Sequence, residues 1–544
     1  VIDHHNPQGR VPDVLALINP KMEDSGYPFK DLAGCGVVFK LYWALLFSRT
    51  RYYGVTLTLL NIRPANASYI LEAVKIINLM ETERISETLV PGVIPFEKSR
   101  TANFLSGEEV YVYNQKLQQS QLEKIFTAET SVPFVDLAVR LVELFPVLEG
   151  KSLLKIREKS RIARYAQPSF DEIDMLKSLT TSLILKEGNL LSEYMETKLD
   201  LVALATLADI MPLLDENRIM VKRGLARLNS RKRPAIGELL LQAGLSGSRI
   251  GTREVVWNIT PVLNSAGRMG EPDKAVDLFL TESPDERTDL ATEVFEMNRL
   301  RKKKEESIWE SVLSKARRSY ESCDEKFIFV SGSFIDRGIT GLLAARLVNT
   351  FHVPAAVVAE LQDRAVGSMR SPQEYSIRDF LNRFEDLLTD YGGHDFAAGF
   401  TMPRERLNEF EQKFLAAVNE LEGIRAEEEI MKIDAEVPPD YLTPKIRRIV
   451  ELFEPYGEAN PPLVFLTRGL KILSLECFGR NGPVHLKLLL QALQYKWPAI
   501  LWNGSERARG EFNPGDEVNV VYRLSKSFFQ GQEVLQMIIQ DIEK

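Results

Sequence analysis

Val1-Ile2-Asp3-His4-His5-Asn6-Pro7 opens the chain, and its reading decides the rest. Two β-branched residues run straight into a carboxylate and two imidazoles, as at a strand end that opens into a site. Neighbouring side chains of a strand face opposite ways, so a loop must re-aim the rings if both serve one centre. Imidazole binds Mn, Fe or Zn, and an adjacent carboxylate orients the ring or shares the metal. A lone His pair is more often just a polar strand end. This pair weighs more because the 544 residues contain only 5 His: His4, His5, His352, His394 and His485. A first residue of Val, inside such a phrase, leads us to expect further sequence upstream.

Composition narrows the class. At 544 residues the chain is too long for one compact domain. With 44% hydrophobic and 26% charged residues it reads as globular and folded. Cys35, Cys323 and Cys477 are too few and too scattered for a disulfide framework or a thiolate zinc site, which fits a reducing, cytoplasmic setting. No apolar run is long enough to span a bilayer, and the start lacks a signal-peptide pattern, so no membrane partner is expected. The net charge of -8, from 68 basic and 76 acidic residues, requires that any nucleic-acid surface be local.

Along the chain, apolar Gly34–Phe47 reads as a helix. Residues 50–160 look like a separate α/β unit, with strands at Val55–Leu60, Tyr69–Ile77 and Glu109–Tyr113 and helices at Leu122–Phe126 and Val135–Phe145. Helix-rich residues 165–245 follow, then a turn-rich stretch from Gly251 to Gly270. A charged helix over 284–320 bridges to a second α/β unit at 326–420. From about residue 430, six short runs separated by turns read as a small β-barrel or sandwich.

Four further phrases carry chemistry-bearing residues. Asp209 ends the apolar run Leu204-Ala-Thr-Leu-Ala just before Ile-Met-Pro; it is a helix or turn cap, or a hard metal ligand. In Asn264-Ser-Ala-Gly-Arg268 small residues flank a guanidinium suited to phosphate. Gly367-Ser-Met-Arg370-Ser371 repeats that idea. Tyr391-Gly-Gly-His394 follows, and the subsequent Ala-Ala-Gly is expected to start a helix whose N-terminus adds positive potential.

Taken in order, these phrases resemble the RecJ branch of the DHH phosphoesterases. So do Ile18-Asn-Pro-Lys21, Gly34-Cys-Gly-Val-Val-Phe-Lys40, Asp200 to Asp209, and Glu216-Asn-Arg218. The resemblance covers residues 1–48 and about 195–544. It implies an α/β multidomain fold, with a DHH phosphoesterase domain (1–48 and 161–250) and an insertion (49–160). A connector with a long charged helix (251–320), a DHHA1 domain (321–425) and an OB-fold barrel (426–544) follow. The barrel is entered through Glu454-Pro-Tyr-Gly-Glu-Ala-Asn-Pro461. The implied activity is a single-stranded-DNA-specific 5′→3′ exonuclease of DNA recombination and repair, using Mn²⁺ or Mg²⁺. It would act as a monomer, with a helicase and a single-strand-binding protein as candidate partners. By position, His4 and Asp209 match metal ligands, Asp3 would orient His4, and His5 would face the scissile phosphate. Arg268, Arg370, Ser371 and His394 match groups that hold DNA phosphates. In the barrel, Trp502, Tyr522, Arg523, Phe528 and Phe529 are the candidate DNA contacts, although most aromatics of a small barrel are core.

Two departures qualify the resemblance. The family's Asp-x-Asp motif and a later Asp precede its His pair and have no counterpart here, so the site implied is incomplete. The 544 residues alone are expected to be inactive. Residues 50–160 resemble, more faintly, the DnaQ-like 3′→5′ exonuclease fold. On that alignment the metal-binding acids fall on Thr56, Thr58 and Gln118, and no His occurs between His5 and His352. A dead exonuclease fold is implied, and we expect it to extend the strand-guiding surface. The competing readings are a DHH phosphodiesterase of short oligonucleotides and a non-catalytic single-strand-binding or scaffold protein.

Overall fold

The computed structural model describes residues 1–7, 12–126, 132–166, 169–190, 193–372, 376–394, 396–419, 430–479, 485–504, 507, 511–529 and 532–544. Contacts divide the chain into two units, Val38–Lys198 and Val1–Val37 with Leu199–Lys544. Among the described residues no helix is long and apolar enough to cross a membrane.

Val38–Lys198 is built on a five-stranded sheet: β1 (Thr56–Ala65), β2 (Ser68–Ile77), β3 (Met80–Leu89), β4 (Val110–Val112) and β5 (Phe134–Asp136), in the order β3-β2-β1-β4-β5. β1, β2 and β3 run antiparallel, and β4 and β5 lie parallel beyond β1. The period-two alternation of β1 explains its burial on both faces. Leu57 and Leu59 pack with the helix Glu172–Glu187 through Leu176, Leu179 and Leu183. Leu60 and Ile62 pack the other way, onto Leu122, Ile125 and Phe126. The core of this unit therefore continues to Leu190, well past residue 160.

This unit also corrects the alignment drawn across β1. Gln118 is buried, but its amide accepts from Ile62 N at 2.7 Å, and it is not directed at Thr56 or Thr58. Glu172 interacts electrostatically with Asn61, so the side chains reaching β1 from the helices Gln115–Ile125 and Glu172–Glu187 meet it at residues 61–62. Neither Asn61 nor Ile62 offers a carboxylate. Gln118 completes the ladder where short β4 no longer reaches β1, which is a structural task.

The other unit contains three packed regions. Helices Leu199–Ala208, Asp215–Ser230, Pro234–Gln242 and Thr260–Arg268 share a core with the first third of the 39-residue helix Pro284–Ser322. The expected turn-rich stretch at 251–270 is thus mostly helical: Thr252–Glu254, a π turn at Val255–Ile259 and Thr260–Arg268 run on without a break, and Pro261 stands directly after the π turn. The long helix spans roughly 58 Å at 1.5 Å per residue. Its later part, through Val312 and Ala316, packs on the next sheet.

That sheet has the order β6-β7-β8-β10-β9, with β6 (Ile328–Gly332), β7 (Ala355–Glu360), β8 (Arg364–Arg370), β9 (Asp390–His394) and β10 (Ala397–Pro403). The Ala-Ala-Gly phrase therefore begins β10 and does not start a helix. Its residues alternate against β8, with Phe400 filling the space over Gly367, where a Cβ would meet the ring at 2.1 Å.

The last region holds β11 (Ala435–Glu436), β12 (Val464–Phe478), β13 (His485–Ala492), β14 (Tyr495–Leu501), β15 (Glu517–Phe529) and β16 (Gln532–Glu543). β12-β13-β14-β16-β15 closes back on β12 as a five-stranded barrel. Closure removes the exposed edges an open sheet would leave. Leu470, Leu488, Trp497, Val520 and Tyr522 are among the side chains filling it.

Candidate metal centre and phosphate grip

Ile2 pairs parallel with Ile18, and Asp3 N donates to Ile18 O at 3.0 Å, which fixes where the opening phrase ends. The backbone then turns on the Asp3 carboxylate. Its Oδ1 accepts from His4 N at 2.7 Å, from His5 N at 3.2 Å, and bonds the His5 ring Nδ1 at 2.8 Å. Burial pushes the Asp3 carboxyl up, but these bonds outweigh it and hold it below its ordinary value. The expected pairing is thus exchanged: Asp3 orients His5, because its short side chain folds back onto the backbone it caps and reaches the second ring.

His4 faces Asp209. Its Nε2 lies 3.8 Å from Asp209 Oδ2, and its Nδ1 is buried without a hydrogen-bond partner among the described residues. Burial, followed by the neighbouring His5, holds the His4 imidazole below its ordinary value, which favours the neutral ring that a metal ligand must have. Asp209 follows the last residue of the helix Leu199–Ala208. The helix is closed by Met211 N donating to Thr206 O at 3.0 Å, with Ile210 left-handed at φ 52°. That conformation costs a β-branched residue about 1–2 kcal/mol. It leaves Asp209 at the negative end of the helix dipole, a favourable place for a cation.

Two donors each about 2.1 Å from one cation lie at most about 4.2 Å apart. The 3.8 Å spacing of His4 and Asp209 therefore admits a divalent cation between them. The fit is partial: no group of three or more His, Cys, Asp or Glu placed to hold a metal occurs among the described residues.

The cationic side is built around the first turn of the helix Thr340–Phe351. Arg268, the last residue of its own helix, donates from Nη1 to Gly338 O at 3.4 Å. Gly338 is obligatory, since a Cβ there would stand 2.0 Å from Arg268 O. Arg370 ends β8, donates to Met369 O at 2.7 Å, and brings Nη2 within 2.8 Å of where a Gly341 Cβ would be. Burial, then Arg301, depresses the Arg268 guanidinium against the pull of Glu305. Burial, then Arg268, depresses that of Arg370. Ser371 Oγ is buried without a partner among the described residues. Two half-buried like charges, an orphan hydroxyl and a helix N-terminus together suit an anion.

A cavity of about 890 Å³ joins the two sides, lined by Asp3, His5 and Asn19 at one end and Arg337, Thr340 and Ser368 at the other. Arg337, Thr340 and Ser368 were not singled out from sequence. Ser368 carried the only signal, lying inside the Gly367–Ser371 phrase, and its hydroxyl meets that of Thr340 at 2.9 Å. Of the remaining phosphate candidates, His394 has its backbone in β9, but its side chain lies outside the described residues.

The barrel sorts its candidates clearly. Tyr522 is fully buried, hydrogen-bonded to Thr467 at 3.0 Å and pushed up to about 12 by burial, so it is core and not a DNA contact. Its position on β15 faces inward, as alternation along a barrel strand dictates. Arg523 is half-buried, its Nε without a hydrogen-bond partner among the described residues, and the side chains of Phe528 and Phe529 lie outside those residues. Trp502 is 49% exposed and meets His485 edge-on at 4.7 Å and Phe478 at 6.2 Å. Phe478 and His485 were missed, since nothing in sequence says that the ends of β12 and β13 bring them to Trp502.

Comparison with known proteins identifies two domains and a set of relatives. Residues 324–420 match the model of the DHHA1 domain, and residues 433–541 that of the RecJ OB domain. Over about two thirds of its length the chain is similar to single-stranded-DNA-specific RecJ exonucleases. It is 33% identical over 347 residues to the single-stranded-DNA-specific exonuclease RecJ of Thermus thermophilus, covering 63% of this chain and 48% of that protein. To the RecJ of Bacillus subtilis it is 26% identical over 358 residues, covering 65% of this chain and 44% of the relative. To that of Escherichia coli it is 28% identical over 375 residues, covering 65% and 63%. The chain thus spans between about two fifths and two thirds of these relatives. The crystal structure of Thermus RecJ in complex with Mg²⁺ superposes with a TM-score of 0.54 at 27% identity, over 68% of this chain and 56% of that one. The Mn²⁺ complex gives 0.54 at 24% identity, over 83% and 64%, a likeness of fold.

Proposed function

We propose that this chain is the metal-receiving and DNA-gripping part of a single-stranded-DNA-specific 5′→3′ exonuclease that acts in recombination and repair. The observation that carries the reading is the shared cavity. It places the Asp3–His5 pair opposite Arg337, Thr340 and Ser368, with His4 and Asp209 beside one end and Arg268 and Arg370 beside the other. Bound Mn²⁺ or Mg²⁺ would polarise the phosphate and supply an activated water.

The protein's own groups do the rest. His4 and Asp209 would hold the cation. Asp3 fixes the His5 ring through Nδ1 and so fixes where Nε2 meets a phosphate oxygen. Arg268, Arg370 and Ser371, with His394, balance the charge of neighbouring phosphates. The barrel supplies stacking surface at Phe478, His485 and Trp502, which suits unpaired bases and not a duplex.

Two donors alone neutralise a dication poorly. We therefore expect the 544 residues by themselves to bind single strands without cutting them, and the non-catalytic binding reading rests on that same count among the described residues. In Val38–Lys198 we infer an exonuclease fold without its acids, Gln118 having taken a structural task.

The test uses oligonucleotides labelled at either end, single-stranded or duplex, with the protein produced from its own gene and with residues 1–544 alone. Mn²⁺-dependent shortening from the 5′ end of single strands supports the reading. Digestion from the 3′ end, or preference for dinucleotides over long strands, overturns it.

A further inference from the structure

Glu216-Asn217-Arg218 takes no part in the metal or phosphate site, yet its three side chains reach three different segments. Glu216 accepts from Tyr27 OH at 2.9 and 3.0 Å. Asn217 is fully buried and donates from Nδ2 to Asp31 O at 2.6 Å and Pro212 O at 3.1 Å. Arg218 donates to Phe453 O at 2.7 Å, and to Glu454 O and Pro455 O, each at 3.5 Å. Phe453 ends the helix Ile446–Phe453, whose C-terminus favours a cation, and Glu454 and Pro455 follow it. A planar fork directs donors from separate nitrogens at several carbonyls, whereas an ammonium offers all of its donors from one atom.

The same loop is held from its other side. Leu213 N donates to Glu458 O at 2.8 Å, and a Cβ on Gly457 would stand 2.7 Å from the Leu213 side chain. Asn460 closes the loop on itself through Phe453 O and Pro455 O at 3.0 and 2.7 Å. Glu451 and Glu454, at the helix end, pair with Lys526 of β15 at 2.9 and 3.6 Å. A continuous set of contacts therefore runs from the barrel wall to Leu213, four residues after Asp209. The strap between them carries left-handed Ile210 at φ 52°, and left-handed Asp215 follows it at φ 38°.

We propose that Arg218 is a positioning residue that locks the barrel's entry loop onto the strap carrying Asp209, so that strand capture by the barrel steadies the metal-receiving carboxylate. This rests on the single-strand-binding reading above.

The test is hydrogen–deuterium exchange of residues 206–215 in the 544-residue protein, free and with an oligo-dT strand. Arg218→Met and Gly457→Ala are compared with the parent, and strand binding is measured separately by anisotropy. The expected result is exchange of the two amides in 211–213, those of Met211 and Leu213, at least tenfold faster in either free variant, with the barrel strands unchanged. Oligo-dT slows the same amides in the parent but not in the variants, and Arg218→Lys shows an intermediate effect. If Arg218→Met fails to fold, Gly457→Ala opens the loop from the opposite side and decides alone. Unaltered exchange at 211–213 in the free variants, or protection by oligo-dT that survives them, overturns the proposal. A parent that binds oligo-dT without protecting 211–213 overturns it and leaves the function standing. A parent that binds no strand while the variants loosen 211–213 retains the lock but removes both its coupling role and the function.

Discussion

Replacing Arg370 by Met separates folding from function with opposite signs. In the DNA-free protein burial and Arg268 both disfavour the Arg370 charge, and Arg268 is itself disfavoured by burial and Arg301. Removing one guanidinium relieves that repulsion and leaves an apolar stem of similar length. The variant should therefore melt at the same temperature as the parent or higher. Its DNA affinity should fall, because the repulsion is what a phosphate relieves. For single strands log K changes with log salt by about 0.7 per phosphate neutralised. Between 50 and 200 mM salt, one lost contact reduces the parent's drop in affinity by about 2.6-fold, and loss of both Arg268 and Arg370 reduces it by about sevenfold. Fluorescence anisotropy with labelled oligo-dT over a salt series measures the slope, and calorimetry measures the melting temperature. An unchanged slope with a lowered melting temperature would show the arginines to be structural and refute the phosphate grip.

Other outcomes follow from particular contacts. Gly338→Ala must open a 2.0 Å approach to Arg268 O to at least 3.4 Å; it should destabilise by about 1–3 kcal/mol and weaken strand binding more than Arg370→Met does. Trp502→Ala should cost strand affinity roughly five- to hundredfold, whereas Tyr522→Phe should leave affinity intact and lower stability by about 1 kcal/mol; reversed effects in anisotropy and melting would put the tyrosine on the surface path. Burial, then Glu72, raises the Asp171 carboxyl to about 6 from 3.8. A raised acid takes up a proton on folding, so its contribution to stability is greatest below about pH 4 and declines as pH rises to about 6. Asp171→Asn keeps the helix cap and should remove that decline in urea melts between pH 4 and 7; parallel curves for parent and variant would count against it.

Much of the fold was legible because its signals are local. The strands of the barrel, the long charged helix and the alternation of β1 follow from periodicity and turn residues alone. The His pair and Asp209 stood out because costly polar residues ended apolar runs, and the structure does bring His4 and Asp209 together. What was not legible depends on three-dimensional register. Asp3 reaches His5 and not His4 because of a backbone turn that no spacing rule contains. The Ala397 phrase looks like a helix start until β8 offers it a partner strand. Tyr522 and Trp502 are equally aromatic in sequence, yet strand alternation buries one while the end of β14 exposes the other. The alignment across β1 differs because Thr56, Thr58 and Asn61 all lie on one strand, and only the hydrogen bond of Gln118 to Ile62 shows where its helix meets that strand.

The claim on which the rest depends is that His4 and Asp209 receive a divalent cation. Pulsed electron paramagnetic resonance of Mn²⁺ bound to the protein produced from its own gene tests it directly. We predict nitrogen coupling from one imidazole, lost in His4→Ala, and an affinity for Mn²⁺ that falls at least tenfold in Asp209→Asn. A Mn²⁺ signal and affinity indifferent to both substitutions would contradict the account.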